Sequence, residues 1–202
     1  MLARLVTEIA RPGDVIVDVG ADHGHVAHAV GAIATEAAPG RIGRRDVPWV
    51  IGDGLAPFRH VDIAIVAGMG ALTIARILSA GPRPARAIVV HAQDDPPVLR
   101  AWLAANGWRI DAEALAPEAS RYAEVIRAVP GVEPASGLGL AFGPLLFAGD
   151  DPHLAAHLRH LHAHHSRLAA RTASADPRRS AEEQAKAAFL RDTMAGRTTP
   201  ED

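Results

Sequence analysis

The sequence predicts an α/β protein, a doubly wound and mainly parallel sheet with an antiparallel edge, followed by a C-terminal α-helical hairpin. Three observations predict it. Short, nearly continuous β-branched runs, such as Val15 to Val19 and Val61 to Ala67, have the composition of strands covered on both faces. They alternate with segments of helical spacing, the order a parallel sheet requires. From Pro152 onward the strand signals stop and two amphipathic stretches follow. The division this implies is one domain over 1–150 and a helical, coiled-coil-like tail over 151–202.

The elements follow in chain order. A short helix near 2–10 precedes Pro12-Gly13, and the first strand then runs to Gly20. A brief helix over 23–30 leads to a second apolar run at Ala32 to Ala34, ending at Glu36. Val47 to Ile51 is the third strand and Val61 to Ala67 the fourth. Leu72, Ala75 and Leu78 space a helix over 72–79, with Gly81-Pro82 as its stop. Ala87 to His91 is the fifth strand. Asp94 or Asp95 is the expected cap of the next helix, with Pro96 and Pro97 in its first turn and Val98, Leu99, Trp102 and Leu103 on its buried stripe. Residues 108–115 and 122–129 form two strands joined by a polar turn. Residues 131–139 are loop, and 140–147 form a last strand or extended segment. In the tail, Leu154, Leu158, Leu161 and Leu168 share one helical face, beside a stripe of His153, His157, His160 and His164 that reads as solvated. Ser174 to Arg179 interrupts that helix. Ser180-Ala-Glu-Glu fits a capping-box start for the second, and the last six or seven residues are expected to fray.

Composition narrows the chemistry. The 202 residues include no cysteine, which excludes a disulfide scaffold, a thiolate zinc site, an iron–sulfur cluster and a thiol nucleophile. No apolar run approaches eighteen residues, and the start MLARLVTEIARPGD lacks a long apolar core, so the expectation is a cytoplasmic protein without membrane span or signal peptide. The net charge of −2 is a sum of unlike parts. Residues 1–152 hold 13 arginines against 17 acids, whereas residues 153–202 hold seven arginines and Lys186 against six acids, with six of the 11 histidines. The tail is the electropositive part.

In an open parallel sheet, ligands bind beyond the carboxyl ends of the strands. The first strand is followed by Asp18-Val-Gly-Ala-Asp-His-Gly24, the second by Glu36, the third by Gly52-Asp53-Gly54 and the fourth by Gly68-Met69-Gly70. Glycines let a backbone approach a ligand closely. Glu36 is placed to accept hydrogen bonds from the two hydroxyls of a ribose, and Asp53 from the exocyclic amine of an adenine. No full Gly-x-Gly-x-x-Gly places a pyrophosphate, so an adenosine ligand without phosphates, such as S-adenosylmethionine, is favoured over a dinucleotide.

These residues also carry a resemblance. Val17-Asp-Val-Gly-Ala-Asp-His23, Ala32-Ile-Ala-Thr-Glu36, Gly52-Asp-Gly-Leu55 and Ile65-Val-Ala-Gly-Met-Gly70 are similar to successive motifs of the TrmK family of bacterial tRNA (adenine-N1)-methyltransferases, which act on adenine 22. Leu99-Arg-Ala-Trp-Leu103, Asn106-Gly-Trp-Arg-Ile110, Glu113, Glu118, Tyr122-Ala-Glu-Val125 and Phe142-Gly-Pro-Leu145 continue it in order. The resemblance implies a class I methyltransferase (Rossmann-like) fold, S-adenosyl-L-methionine as methyl donor, and tRNA as substrate. By motif position it places Asp18, Gly20, Asp22, His23, Glu36, Gly52, Asp53 and Gly54 around the cofactor. Asp22, His23, Gly68, Met69 and Gly70 fall on the side of the target base. It also implies a C-terminal helical pair that helps grip RNA, and the tail itself offers Arg159, Arg167 and Arg171, beside its histidines, as an RNA-contacting face. The chain departs from the family pattern in Ala71, where a further glycine is usual, and in His91-Ala92, where Gln-Pro is usual. Only 13 residues separate Asp22 from Glu36 and 16 separate Glu36 from Asp53. The Pro- and Gly-bearing stretch 37–48 cannot hold a regular helix, so the ribose and adenine side of the cleft is expected to be more open.

Two other readings use the same residues. A catalytically degenerate RNA-binding protein on the methyltransferase fold takes the shortened cofactor side at face value. A metal-dependent hydrolase would use His23, His25 and His28 as ligands, although the downstream ligands of such a site are missing and the metal expectation is none. Oligomeric state is expected to be a monomer or weak dimer.

Overall fold

The computed structural model describes residues 1–118 and 121–197. It contains helices α1 (Leu2–Thr7), α2 (His25–Val30), α3 (Ala71–Ala80), α4 (Pro96–Ala105), α5 (Gly137–Ala141), α6 (Leu154–Thr172) and α7 (Pro177–Arg197). Its strands are β1 (Ile16–Val19), β2 (Ile33–Glu36), β3 (Trp49–Ile51), β4 (Ile63–Met69), β5 (Ala87–Ala92), β6 (Trp108–Glu118) and β7 (Arg121–Pro130). The strands form one sheet in the order β3-β2-β1-β4-β5-β7-β6. The first five are parallel neighbours and β7 runs antiparallel to β5. The order reverses at β1 and β4, which places a crevice at their carboxyl ends.

The β-branched runs form central strands because both faces are covered. Val17 and Val19 of β1 lie in one apolar layer with Ile74, Ile77 and Leu78 of α3 and Leu99 and Leu103 of α4. Ile16 lies in the opposite layer, with Leu5 and Val6 of α1 and Ala27 of α2. Alternate residues of a strand face opposite sides, so a run apolar at every position feeds both layers. Asp18 shares the face of Ile16. Its buried carboxylate accepts the Ala27 N–H at 3.0 Å, satisfying a donor at the start of α2.

The chain forms two compact units. The first comprises Met1–Ala116 with Ala123–Leu145. Near its antiparallel edge Arg100 is fully buried, and its guanidinium meets Glu113 at 2.6 Å and Glu124 at 2.7 Å. A further bond to the Ala141 carbonyl at 3.0 Å joins α4, β6, β7 and α5 in one network. The motif residues around Leu99, Glu113 and Val125 therefore build the edge of the fold.

The second unit comprises Pro117–Tyr122 and the residues from Leu146 on. Its helices α6 and α7 form an antiparallel hairpin. The Ser180 hydroxyl donates to the Ala169 carbonyl at 2.9 Å, and His165 meets the buried Glu183 at 2.5 Å, with Lys186 on the other Glu183 oxygen at 2.6 Å. Burial acts upward on the Glu183 carboxyl, but the hydrogen bonds and charges of Lys186 and His165 together hold it below the usual glutamate range. The expected polar turn at residues 119–120, and residues 198–202 of the stretch expected to fray, lie outside the described residues.

Five expectations are corrected. Asp95 stands at the N-cap of α4, as expected, but its side chain makes no capping bond. Asp94 turns instead to α3 and accepts the Ala71 N–H at 2.7 Å. Val98 of α4 is exposed and does not join its buried stripe. Residues 140–147 contain no strand, and α5 occupies 137–141. Helix α7 starts at Pro177, where Asp176 accepts the Arg179 N–H at 2.9 Å, a better start than Ser180 because proline at the first helical position lacks only a donor that would go unpaired. The histidine stripe is not uniformly solvated: His157 is buried, and Tyr122 stacks on His153 at 5.2 Å and meets His157 edge-on at 6.0 Å.

Candidate functional site

The strand ends after β1, β2, β3 and β4 converge on one cleft of about 340 Å³. Gly20 and Asp22 line it from the first loop, and Glu36 from the end of β2. Gly52, Asp53 and Gly54 line it after β3, and Gly68 and Met69 after β4. Eight of the sequence-predicted site residues therefore face one space. The other three stand beside it. Asp18 lies in β1 and is bonded to Ala27 of α2, His23 is outside the lining and largely exposed, and Gly70 leads from the cleft into α3.

Backbone geometry shapes the walls. Asp22 adopts a left-handed conformation, φ 49°, a strained choice for a residue other than glycine and one that clusters at functional sites. Gly20 has φ 64°, and a Cβ there would lie 2.3 Å from the Met69 side chain. The β4–β5 register shifts between Ala67 and Met69, with Gly68 at φ 73°. This irregularity brings Met69 to the cleft at the end of a strand whose first four residues are buried.

The polar groups are mostly acceptors. Glu36 is nearly buried and accepts the Ala38 N–H through Oε1 at 3.2 Å, leaving Oε2 for the cleft. Asp53 is exposed and meets Arg76 at 3.3 Å through one oxygen. Thr35, with no exposed surface, lines the cleft, and its hydroxyl has no hydrogen-bond partner among the described residues. Burial pushes the Asp18 carboxyl up to about 6, against the smaller opposing effect of its bond from Ala27. The carboxylates of Asp22, Glu36 and Asp53 around a glycine-walled cleft suit a ligand rich in donors, such as a nucleoside with hydroxyls and an exocyclic amine.

The β2–β3 connection lacks a regular helix, as the sequence predicts for the ribose side of the cleft, and has only a 3-10 turn at Pro39–Arg41. Even so, it folds back onto the first loop. A Cβ on Gly43 would lie 2.6 Å from His23 Cα, and the Arg44 N–H reaches the His23 carbonyl at 3.4 Å. Trp49 donates from Nε1 to the Arg44 carbonyl at 2.7 Å, and its ring lies 3.0 Å from where a Gly24 Cβ would be. Ala37 and Arg41 thereby join the lining.

The family model for TrmK, tRNA (adenine(22)-N(1))-methyltransferase, matches residues 24–197. The chain belongs to the TrmK family. Solved structures share the fold. The Bacillus subtilis m1A22 tRNA methyltransferase TrmK superposes with a TM-score of 0.77 at 21% identity, covering 95% of this chain and 97% of that one. The M. capricolum TrmK bound to S-adenosylhomocysteine gives 0.74 at 17%, covering 96% of each. Streptococcus pneumoniae Sp1610 gives 0.81 at 22%, covering 95% and 97%. No curated protein sequence matches significantly.

Within this TrmK-family cleft, sequence reasoning missed Thr35, Arg41, Thr73 and Arg76, which line it, and Gln93 and Asp94, which flank the Gly68–Gly70 loop. A Cβ on Gly68 would lie 3.7 Å from the Gln93 amide nitrogen, and one on Gly70 3.0 Å from an Asp94 oxygen. Their position just after β5, the next parallel strand, is the signal that could have found them. The hydrolase reading of His23, His25 and His28 finds no support. Among the described residues no group of three or more His, Cys, Asp or Glu could hold a metal ion.

Proposed function

We propose that the chain transfers a methyl group from S-adenosyl-L-methionine to N1 of an adenine in tRNA, at position 22 as in its family. The observation that carries this reading is the single cleft lined by the residues that follow four successive parallel strands, with Glu36 and Asp53 as its acceptors. Glu36 accepts the ribose hydroxyls, Asp53 the adenine amine of the cofactor through the oxygen Arg76 leaves free, and Gly20 and Asp22 face its methionine and ribose side. Asp18, through its bond to Ala27, and His23, from outside, support that loop. The cofactor supplies the methyl group on a sulfonium. Gly68, Met69 and Gly70 wall the entry of the target base.

Adenine N1 has its own lone pair, so attack needs no strong base, and alignment with exclusion of water supplies most of the acceleration. Asp22 and His23, at the base side, therefore act by positioning. N1 lies on the pairing edge, so the base enters unpaired or extruded. Arg159, Arg167 and Arg171 are exposed on α6 and serve as phosphate contacts, which position RNA without reading sequence. Among the described residues no helix is long and apolar enough to cross a membrane. We place the protein in the cytoplasm with its tRNA, as a monomer or weak dimer.

The test is incubation of purified protein with unmodified bacterial tRNA and labelled cofactor, with the product nucleoside identified by mass. N1-methyladenosine, lost on Glu36→Ala, is the expected result. Cofactor binding without transfer would mean a degenerate RNA-binding protein.

A further inference from the structure

We propose that the β2–β3 connection is an RNA-phosphate contact surface of the first unit, with Arg41 and Arg45 as its cations. The proposal rests on the tRNA reading above. The first 152 residues carry four more acids than arginines, so the surface around the cleft repels a polyanion unless a basic patch interrupts it. Between residues 37 and 48 the balance reverses, with Arg41, Arg44 and Arg45 against Asp46 alone.

Arg44 is committed to Asp46, which it grips through two nitrogens at 3.0 and 2.7 Å, and His28 also meets Asp46 at 3.1 Å. Arg41 and Arg45 are exposed, and neither has an ion pair or side-chain hydrogen bond among the described residues. The one local acid is thus occupied, and two guanidiniums remain for an outside partner.

The base under them is fixed. Gly43 sits on the His23 backbone, Trp49 bonds Arg44, and the Arg41 N–H closes the 3-10 turn onto the Ala38 carbonyl at 3.0 Å. Such anchoring sets where the two guanidiniums project, which contacts to successive phosphates need and a merely solvated charge does not. Arg41 lines the cleft itself, and Arg45 lies just past the contact with His23. Glu36 and Asp22 inside the cleft disfavour a phosphate there, so the rim is the place for it. An extruded adenine entering the cleft brings its flanking phosphates to that rim, where arginine's planar fork is well matched to phosphate oxygens.

The test measures binding of unmodified bacterial tRNA by the full chain across salt, with S-adenosylhomocysteine calorimetry alongside. For Arg41→Gln/Arg45→Gln the slope of log K against log salt should fall by roughly 0.7 to 0.9 per arginine, with affinity at moderate salt down severalfold. Arg45→Gln alone should leave S-adenosylhomocysteine binding unchanged. Arg59→Gln, the same charge change outside the connection, should leave the slope unchanged. An unaltered slope in the double variant overturns the proposal, and so does an equal loss in Arg59→Gln. Weaker S-adenosylhomocysteine binding by Arg41→Gln with the tRNA slope intact would assign Arg41 to the cofactor and overturn its role here. Wild-type protein that binds S-adenosylhomocysteine but no tRNA overturns the substrate reading itself.

Discussion

The two walls of the cleft are built on different principles. On one side α3 buries Ile74, Ile77 and Leu78 in the core, and its first turn is closed by the Asp94 carboxylate on the Ala71 N–H. On the other side no regular helix stands between β2 and β3. That wall is held by a glycine pressed on the His23 backbone and by one indole hydrogen bond. A wall made from apolar area shares the stability of the whole domain. A wall made mainly from close backbone contact, with Val47 as its one buried apolar residue among those described, draws less on the stability of the whole domain.

The largest expected effect breaks the first wall. Ile74 has no exposed surface, so Ile74→Ala should cost about 3 kcal/mol in denaturant unfolding while S-adenosylhomocysteine binds the folded protein as before. Asp18 of β1 gives the comparison a pH axis. Its carboxyl is raised from 3.8 to about 6, so the folded state holds a proton that the unfolded chain has released. The associated stability is fully present below pH 4 and is lost as pH rises through 6, by at most roughly 3 kcal/mol. Asp18→Asn keeps an oxygen to accept the Ala27 N–H and removes this loss. The stability difference between variant and wild type should therefore grow from pH 4 to 7, and a constant difference would contradict the burial account.

Smaller effects break the second wall. Gly43→Ala, whose Cβ meets His23, should weaken S-adenosylhomocysteine binding about tenfold, or 1.4 kcal/mol, with little change in melting temperature. Trp49→Phe removes the bond to the Arg44 carbonyl and should cost about 1 kcal/mol. That loss should be read as faster amide exchange over residues 40–46 and not elsewhere.

The same contrast explains what the sequence reveals. The strands of the first unit are legible because runs such as Ile16-Val17 and Ile63-Ala64-Ile65-Val66 put apolar residues on both faces, and the acceptors Glu36 and Asp53 are legible because parallel topology places strand ends together. The packing of Gly43 on His23 is hidden, since it joins residues 20 apart in sequence without an apolar pattern. Asp94 reads as a cap for the helix that follows it, yet it caps α3, 23 residues earlier. Ser180-x-x-Glu has a capping-box spacing, but Asp176 with Pro177 wins the helix start and releases Ser180 to bond Ala169. Local motifs indicate which groups need partners, and tertiary geometry decides which partner each receives.

Calorimetric titration of the wild-type chain and Gly43→Ala with S-adenosylhomocysteine tests most directly whether the irregular wall completes a working cofactor cleft. One site per chain in the wild type, weakened about tenfold in a variant that melts at nearly the same temperature, is the predicted result. No binding by the wild type at millimolar ligand, or equal affinity in both proteins, would contradict the account.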